Sequence, residues 1–418
     1  MESTKPNEAE ETSDSRIYKK YRETIATLPK GIGGTASQEI YQYQGFWYYP
    51  LYLERIMLIQ EHFKAQPSHI VVVSMPKCGT TWLKALTFAI ATRSQFDFSL
   101  SHPLTASSPH ECLPFLEEVA ATACLNEANN PIALFATHMP FTSLPESFLS
   151  SGCKKVYICR NPKDALTSMW HFECRLTPKG KKCFTLEEAF EHFSEGVYPY
   201  GPYWDHVLGY WKASLEWPEK ILFLKYEDLK TDTMRHVKKL AQFIGHPFSL
   251  QEEKDGLVEE VIQLCSFENL SNLDVNKFGK RRVTEKKEIE NAVFFRKGVV
   301  GDWKNNLTAE MSEQLDKITE QKLRGRGGHE WCFSHLVVVT VVAGRLGGTV
   351  EVESWPWGLT TDRAGEKEKK RRRQRRLQGK LAEMASRREG RRSWRSGGAA
   401  AYRRGNWAWR LASLVGRG

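Results

Sequence analysis

Three short strings in this chain set cationic and hydroxyl side chains beside tight turns, an arrangement suited to holding a phosphate. The first, Pro76-Lys77-Cys78-Gly79-Thr80-Thr81-Trp82, follows an apolar run at 70–73 and leads into Leu83-Lys84-Ala85-Leu86-Thr87-Phe88-Ala89-Ile90, whose apolar residues have helical spacing. A strand, a turn with one Gly and two Thr at a helix start aim unpaired backbone N–H groups and the positive end of the helix dipole at one point. Thr80 and Thr81 add hydroxyl donors, and Lys77 adds a full charge. The string is not the G-x-x-x-x-G-K-[ST] loop, because Lys precedes Gly and the first Gly is missing. By itself it is compatible with a plain strand-to-helix turn.

The second string, Arg160-Asn161-Pro162-Lys163-Asp164, closes another apolar run, and Ser168 follows two helical turns later on the same side. Arg there can grip a phosphate by a bidentate, charge-assisted contact, with Asp164 capping the helix. Taken alone, Arg160 reads equally well as a surface residue paired with Asp164. The third string, Phe295-Arg296-Lys297-Gly298, runs into Gly301-Asp302-Trp303-Lys304. Two cations before a Gly let backbone wrap closely around an anion. A candidate base stands in Phe135-Ala136-Thr137-His138-Met139-Pro140. Neutral imidazole takes a proton from a hydroxyl near pH 7, although a lone His after an apolar strand is more often structural. No His string has metal-ligand spacing, so no metal is expected.

The elements that must position these groups are legible in outline. Short β-branched runs at 70–73, 132–135, 155–159 and 221–224 each end in a polar cluster and then a helix-like pattern. Continuous apolar strands alternating with helices predict an α/β fold, a P-loop-like parallel sheet with helices on both faces, whose ligands collect at the carboxyl ends of the strands. Residues 1–36 read as a flexible leader, residues 37–323 as the folded domain, and residues 324–418 as a basic Gly/Arg/Trp-rich extension expected to be disordered.

Charge separates the same regions. Of the formal net charge of +10, the extension holds 22 Lys+Arg against 8 Asp+Glu, leaving 38 against 42 in residues 1–323. A nucleic-acid partner is therefore suggested for the tail alone, through the run at 369–376. The nine cysteines form no C-x-x-C pair and no zinc spacing, which argues for a reducing compartment and against a disulfide framework. The acidic, polar residues 1–16 lack the apolar core of a signal peptide, and the apolar run at 336–343 is far short of the roughly 20 residues a membrane span needs. The cytoplasm is the expected location.

Taken in order, the strings resemble the soluble, cytosolic-type sulfotransferases. Residues 76–82 resemble that family's 5′-phosphosulfate loop, Pro-Lys-x-Gly-Thr-Thr-Trp. Arg160 to Asp164 with Ser168 is similar to its 3′-phosphate motif, and residues 296–303 to its Arg-Lys-Gly-x-x-Gly-Asp-Trp signature, the most specific of the set. The resemblance covers roughly residues 37–323. It implies transfer of a sulfuryl group from 3′-phosphoadenosine 5′-phosphosulfate (PAPS) to a hydroxyl of a small acceptor. It further implies that Lys77, Cys78, Gly79, Thr80, Thr81, Trp82, Arg160, Ser168, Arg296, Lys297 and Gly298 bind the donor, together with Tyr226 and the string Cys265-Ser266-Phe267-Glu268-Asn269-Leu270. His138 would be the base and Lys77 would support the leaving phosphate.

Ala136 stands where many animal members have Lys, a difference that resembles plant members, as do Leu83-Lys84-Ala85-Leu86 and Trp170-His171-Phe172. Any second Lys at the reacting group must then come from elsewhere. Tyr198, Tyr200, Tyr203, Trp204, Phe141 and His102 suit the wall of a flat acceptor, and suit a core equally well. Flavonoid, brassinosteroid, hydroxyjasmonate and glucosinolate-precursor acceptors all stay open. Lys304-x-x-x-Thr308-Ala309-x-x-x-Glu313 is similar to the short dimer motif of animal members but has Ala309 where Val is usual, so a monomer or weak homodimer is expected. Two other readings of the residues are an ATP-dependent phosphoryl-transfer enzyme, which lacks the Gly-Lys-Ser/Thr order, and nucleic-acid binding through the tail.

Overall fold

A computed structural model describes residues 13–33, 38–96, 98, 102–122, 134–284 and 287–323. The extension from 324 lies outside the described residues. Within the segment read as a flexible leader, the described residues 13–33 hold helix α1 (Ser13–Ala26) followed by strand β1 (Lys30–Gly33), while residues 1–12 lie outside the described residues. The polar composition hides a stripe at helical spacing, Ile17, Tyr18, Tyr21 and Ile25, that packs on the core. Glu61 accepts hydrogen bonds from Lys20 Nζ (3.0 Å) and Tyr21 Oη (2.9 Å), fixing α1 to helix α2 (Pro50–His62). Strand β1 pairs antiparallel with β2 (Gln38–Tyr43), which pairs with β3 (Phe46–Tyr48).

The four β-branched runs become β4 (Ile70–Ser74), β5 (Leu134–Thr137), β6 (Lys154–Cys159) and β7 (Ile221–Lys225), all parallel, in the order β5-β4-β6-β7. Their side chains alternate between two cores. Val71, Val73, Phe135, Tyr157 and Cys159 face one, with α2, helix α6 (Pro162–Leu176) and helix α7 (Tyr203–Glu216). Ile70, Val72, Ala136, Val156 and Ile158 face the other, with α3 (Thr80–Thr92), α8 (Thr233–Phe243) and α9 (Leu257–Leu264). The α/β expectation holds, with both faces covered.

Among the short helices between α3 and β5 are α4 (Pro109–Cys112) and α5 (Leu116–Thr122). After α9 come α10 (Phe267–Asn272), the hairpin β8 (Lys280–Thr284) and β9 (Lys287–Glu290), and α11 (Ala309–Leu323). Because β5 and β6 leave β4 on opposite sides, the end of β4 is the point where strand order reverses, where open sheets bind ligands. Cys174 and Cys183 are joined by a disulfide, a departure from the expectation of reduced thiols, as the chain turning back after α6 brings their Cα atoms within 5.2 Å. Cys78, Cys112, Cys153, Cys159 and Cys265 are free.

Candidate active site

A cavity of about 790 Å³ opens at the carboxyl ends of β4, β5 and β6 and collects His138 and most of the candidate donor residues singled out in the sequence. Its floor is the turn after β4. Lys77 takes a left-handed backbone, φ 66°, and Gly79 sits at φ 107°, where a Cβ would meet the Tyr226 ring at 2.7 Å. A non-glycine residue in that region is strained, and such strain clusters at sites of function. Lys77 Nζ lies 3.9 Å from the Phe172 ring centroid and 5.7 Å from that of Phe294. Burial, with Arg160, Arg296 and Arg175 adding repulsion, brings its pKa down to about 7.

The rest of the loop divides its labour. Thr80 Oγ1 is 2.6 Å from Ser74 Oγ, so that hydroxyl is shared with the end of β4. Trp82 lines the cavity and packs edge-on against Tyr226. Cys78 does not line it, because its side chain is fully buried in the core and its N–H donates to Met75 O (3.3 Å). Burial pushes its thiol up to about 12.

Arg160, at the end of β6, is 6% exposed. It donates to Val299 O (2.8 Å), lies 4.6 Å above the Tyr226 ring, and leaves Nε with no partner among the described residues. Its carbonyl accepts a hydrogen bond from Tyr203 Oη. The cap of α6 is Asn161, whose side chain accepts from Lys163 N (2.9 Å). Asp164 has a different task from the capping read in the sequence. Buried at 1% exposure, it accepts from the N–H groups of Gly301 (2.7 Å) and Trp303 (3.1 Å), binding the second string to the third. Ser168, on the same helix, lines the cavity.

Arg296 and Lys297 both pair with Asp302, and Arg296 Nε is buried without a partner among the described residues. Burial alone would raise the Asp302 pKa, but Lys297, Asn305 and Arg296 hold it far below the usual carboxylate range. Gly298, at φ 65°, would drive a Cβ to 2.5 Å from the Phe267 ring. Cys265, Ser266, Phe267 and Leu270 line the same wall. Glu268 and Asn269 do not: Glu268 is exposed, and Asn269 is engaged with Leu264 O (2.7 Å) and with Ser266 Oγ (3.1 Å) at the start of α10.

His138 completes the site. Its Nδ1 is 2.7 Å from Ser74 O, an acceptor only, so Nδ1 carries the ring proton and the Nε2 lone pair is left for chemistry. Burial lowers its pKa to about 3. Its backbone N–H donates to Glu117 Oε1 (3.2 Å), which also accepts from Thr137 Oγ1 (2.7 Å).

Of the six proposed acceptor-wall residues only Tyr200 lines the cavity. Tyr198, Tyr203 and Trp204 are buried around Phe193, Phe141 packs on Tyr210 and Trp217, and His102 stacks on Phe98. The wall is instead Tyr52, Phe115, Phe172 and Phe294, with Val283 and Ile289 from the β8–β9 hairpin. Aromatic density cannot separate wall from core in a sequence, and nothing there would have singled these out. Arg281, paired with Glu118, and Lys230 are further cations of the lining that sequence reasoning missed.

Residues 67–327 match the sulfotransferase domain profile. The chain belongs to the sulfotransferase family. Flavonol 4′-sulfotransferase of Flaveria chlorifolia is 47% identical over 312 residues, covering 74% of this chain and 97% of the relative. Flavonol 3-sulfotransferase of Flaveria bidentis is 48% identical over 72% and 97%, and cytosolic sulfotransferase 17 of Arabidopsis thaliana 45% over 78% and 93%. Among solved structures, an Arabidopsis thaliana protein assigned as a steroid sulphotransferase is 37% identical with a TM-score of 0.59, covering 77% of this chain and 98% of that one. Retinol dehydratase bound to retinol and PAP, 21% identical with a TM-score of 0.54 over 75% and 96%, shares the fold. This sulfotransferase is thus an enzyme of the PAPS-dependent class, and its donor is PAPS rather than ATP. The sulfotransferase cavity suits that donor: Arg160 and Arg296 line it, each with a buried Nε that has no partner among the described residues, and Lys77 lies against the Phe172 and Phe294 rings. No described helix is long and apolar enough to cross a membrane.

Proposed function

We propose that this enzyme sulfates a phenolic hydroxyl of a flavonol-like acceptor, with His138 as base and Lys77 as the cation at the leaving phosphate. The observation that carries the reading is the convergence of cationic and basic groups with a flat wall. Lys77, Arg160 and Arg296 line the same cavity as His138, and Tyr52, Phe115, Tyr200, Phe172 and Phe294 line it too. Planar aromatic walls favour planar aromatic ligands.

Each residue then has a physical role. Thr81, Trp82 and the N–H groups at the start of α3 hold the 5′ side of the donor, Arg160 and Ser168 the 3′-phosphate, Arg296 to Gly298 a second face, and Tyr226, Phe267 and Leu270 the adenine and ribose. Bound there, PAPS supplies the sulfuryl group and departs as adenosine 3′,5′-bisphosphate. His138 Nε2 takes the proton of the acceptor hydroxyl while Nδ1–H stays anchored on Ser74 O. Lys77 stabilises negative charge as it builds on the departing oxygen. The names of the relatives, flavonol sulfotransferases and cytosolic sulfotransferases, support both the acceptor class and a cytoplasmic location. Ala309, where the short dimer motif of animal members has Val, supports a monomer or weak dimer.

The test is transfer from sulfur-labelled PAPS to a panel of flavonols, brassinosteroids, hydroxyjasmonates and desulfo-glucosinolates. Flavonols should show the highest kcat/KM. A clear preference for any of the other classes would overturn the acceptor assignment and leave the donor untouched.

A further inference from the structure

Lys84, His110 and Thr81 form a hydrogen-bonded chain that runs from the buried side of α3 to the cavity. Lys84 is fully buried, with Nζ 3.2 Å from His110 Nδ1 and 3.3 Å from the Phe115 ring centroid. His110 Nε2 lies 3.1 Å from Thr81 Oγ1, and the imidazole is packed between Phe115 and Phe294. Both His110 and Thr81 line the cavity beside Lys77.

The protons in this chain can be assigned. Burial, with the charges of Lys84, Arg281 and Lys77 adding to it, pushes the His110 pKa well below its usual value, so the ring is neutral and carries one N–H. Burial and Arg281 lower the Lys84 pKa as well, while Glu118 and Glu117 act to raise it. As an ammonium Lys84 can only donate, and the face of Phe115 over its Nζ favours that charged form. With Lys84 donating to Nδ1, the ring proton stands on Nε2 and is donated to Thr81 Oγ1. The Thr81 hydroxyl has then accepted one hydrogen bond, and its own proton has no other acceptor among the described residues. The direction left for it is into the cavity.

We propose that Lys84 and His110 are positioning residues of the donor loop, which turn the Thr81 O–H toward the 5′ phosphate group of the donor. This rests on the reading that the donor's 5′ end sits on the loop at residues 77–82. Without the chain no hydrogen bond among the described residues fixes the Thr81 rotor. The chain removes that freedom before the anion arrives, which is how pre-organised donors gain their effect.

The experiment is a double-mutant cycle on the equilibrium binding of adenosine 3′,5′-bisphosphate, with folding of each variant checked by thermal melting. Thr81→Val removes the donor and should weaken binding by about 10-fold or more, the effect of a hydrogen bond to a charged group. His110→Leu should weaken it by several-fold and the double variant should bind no worse than Thr81→Val alone. His110→Gln, whose amide N–H reaches the place of Nε2–H, should recover most of the loss, and Lys84→Met should follow His110→Leu. Losses that multiply in the double variant, or wild-type affinity in a folded His110→Leu or Lys84→Met, would overturn the proposal. If His110→Leu does not fold, the cycle run with Lys84→Met decides in the same way. Wild-type protein that fails to bind adenosine 3′,5′-bisphosphate would instead refute the donor-site reading itself.

Discussion

Asp164 and Gly301, 137 residues apart, are joined by a 2.7 Å hydrogen bond from the Gly301 N–H to the buried carboxylate. The same carboxylate holds Trp303 N, so the segment with Arg296, Lys297 and Gly298 is tied to the start of α6, which carries Ser168 and follows Arg160. Asp164→Ala should therefore cost about 3 kcal/mol of stability, two buried charge-assisted hydrogen bonds being lost. It should also weaken adenosine 3′,5′-bisphosphate binding by at least 10-fold without any direct contact to it, with Asp164→Asn intermediate. Thermal melts and titration calorimetry check both; lost stability with intact affinity would mean that the tie does not set the donor site.

His138→Ala should abolish turnover and leave adenosine 3′,5′-bisphosphate affinity within about 2-fold, since a base touches the acceptor proton and not the nucleotide. The pH profile should be unusual for a His base. With the pKa lowered to about 3 by burial, Nε2 stays unprotonated through the range where a solvated His titrates, so kcat/KM should show no acid limb near pH 6.5. A limb there that moves with substitution at His138 would show that the ring is solvated in the working enzyme.

Lys77 should take up a proton when the nucleotide binds. Burial and three neighbouring Arg hold its pKa near 7 in the free enzyme. A phosphate beside it favours the charged form and raises that value. At pH 8 the free enzyme is mostly neutral at this position while the phosphates are fully ionised, so uptake should approach about one proton. Binding enthalpies in buffers of different ionisation heat measure it directly. Lys77→Met should reduce the uptake to near zero; an unchanged uptake would assign the proton elsewhere.

Local strings in the sequence were enough to pick out most of the candidate donor residues that the structure gathers at one cavity, because a Gly forced to positive φ, a cation at a strand end and a Thr pair at a helix start leave marks within seven residues. The acceptor side was not legible. Phe115, Phe172 and Phe294 face a cavity while Tyr203 and Trp204 fill a core, and at the level of residue type the two sets look alike. Lys84 was equally hidden, as a Lys in an apolar helix reads as a solvated residue until Phe115 and His110 are seen around it. Asp164 was legible as a helix-start residue but not as a tie, since its partners lie more than a hundred residues downstream. The leader helix was missed because four apolar residues in fourteen are few, although their spacing put them on one face.

The extension offers the last test. Every residue assigned to the donor or to the chemistry lies before Val299, the family match ends at 327, and the relatives are covered almost end to end by about three quarters of this chain. A chain ending near Gly327 should therefore keep full PAPS-dependent activity. Residues 324–418 carry 22 Lys+Arg against 8 Asp+Glu, a surplus that attracts polyanions through counterion release and loses them steeply as salt rises. The shortened chain should lose any salt-sensitive binding to single-stranded RNA shown by the full chain, and should bind adenosine 3′,5′-bisphosphate with unchanged affinity. The opposing possibility is that Trp331, Trp355 and Trp357 bury surface on the enzyme. Removing such a contact would lower the melting temperature, about 1 kcal/mol shifting a domain of this size by somewhat under 2 °C. A shortened chain that melts clearly lower would make the extension part of the folded enzyme.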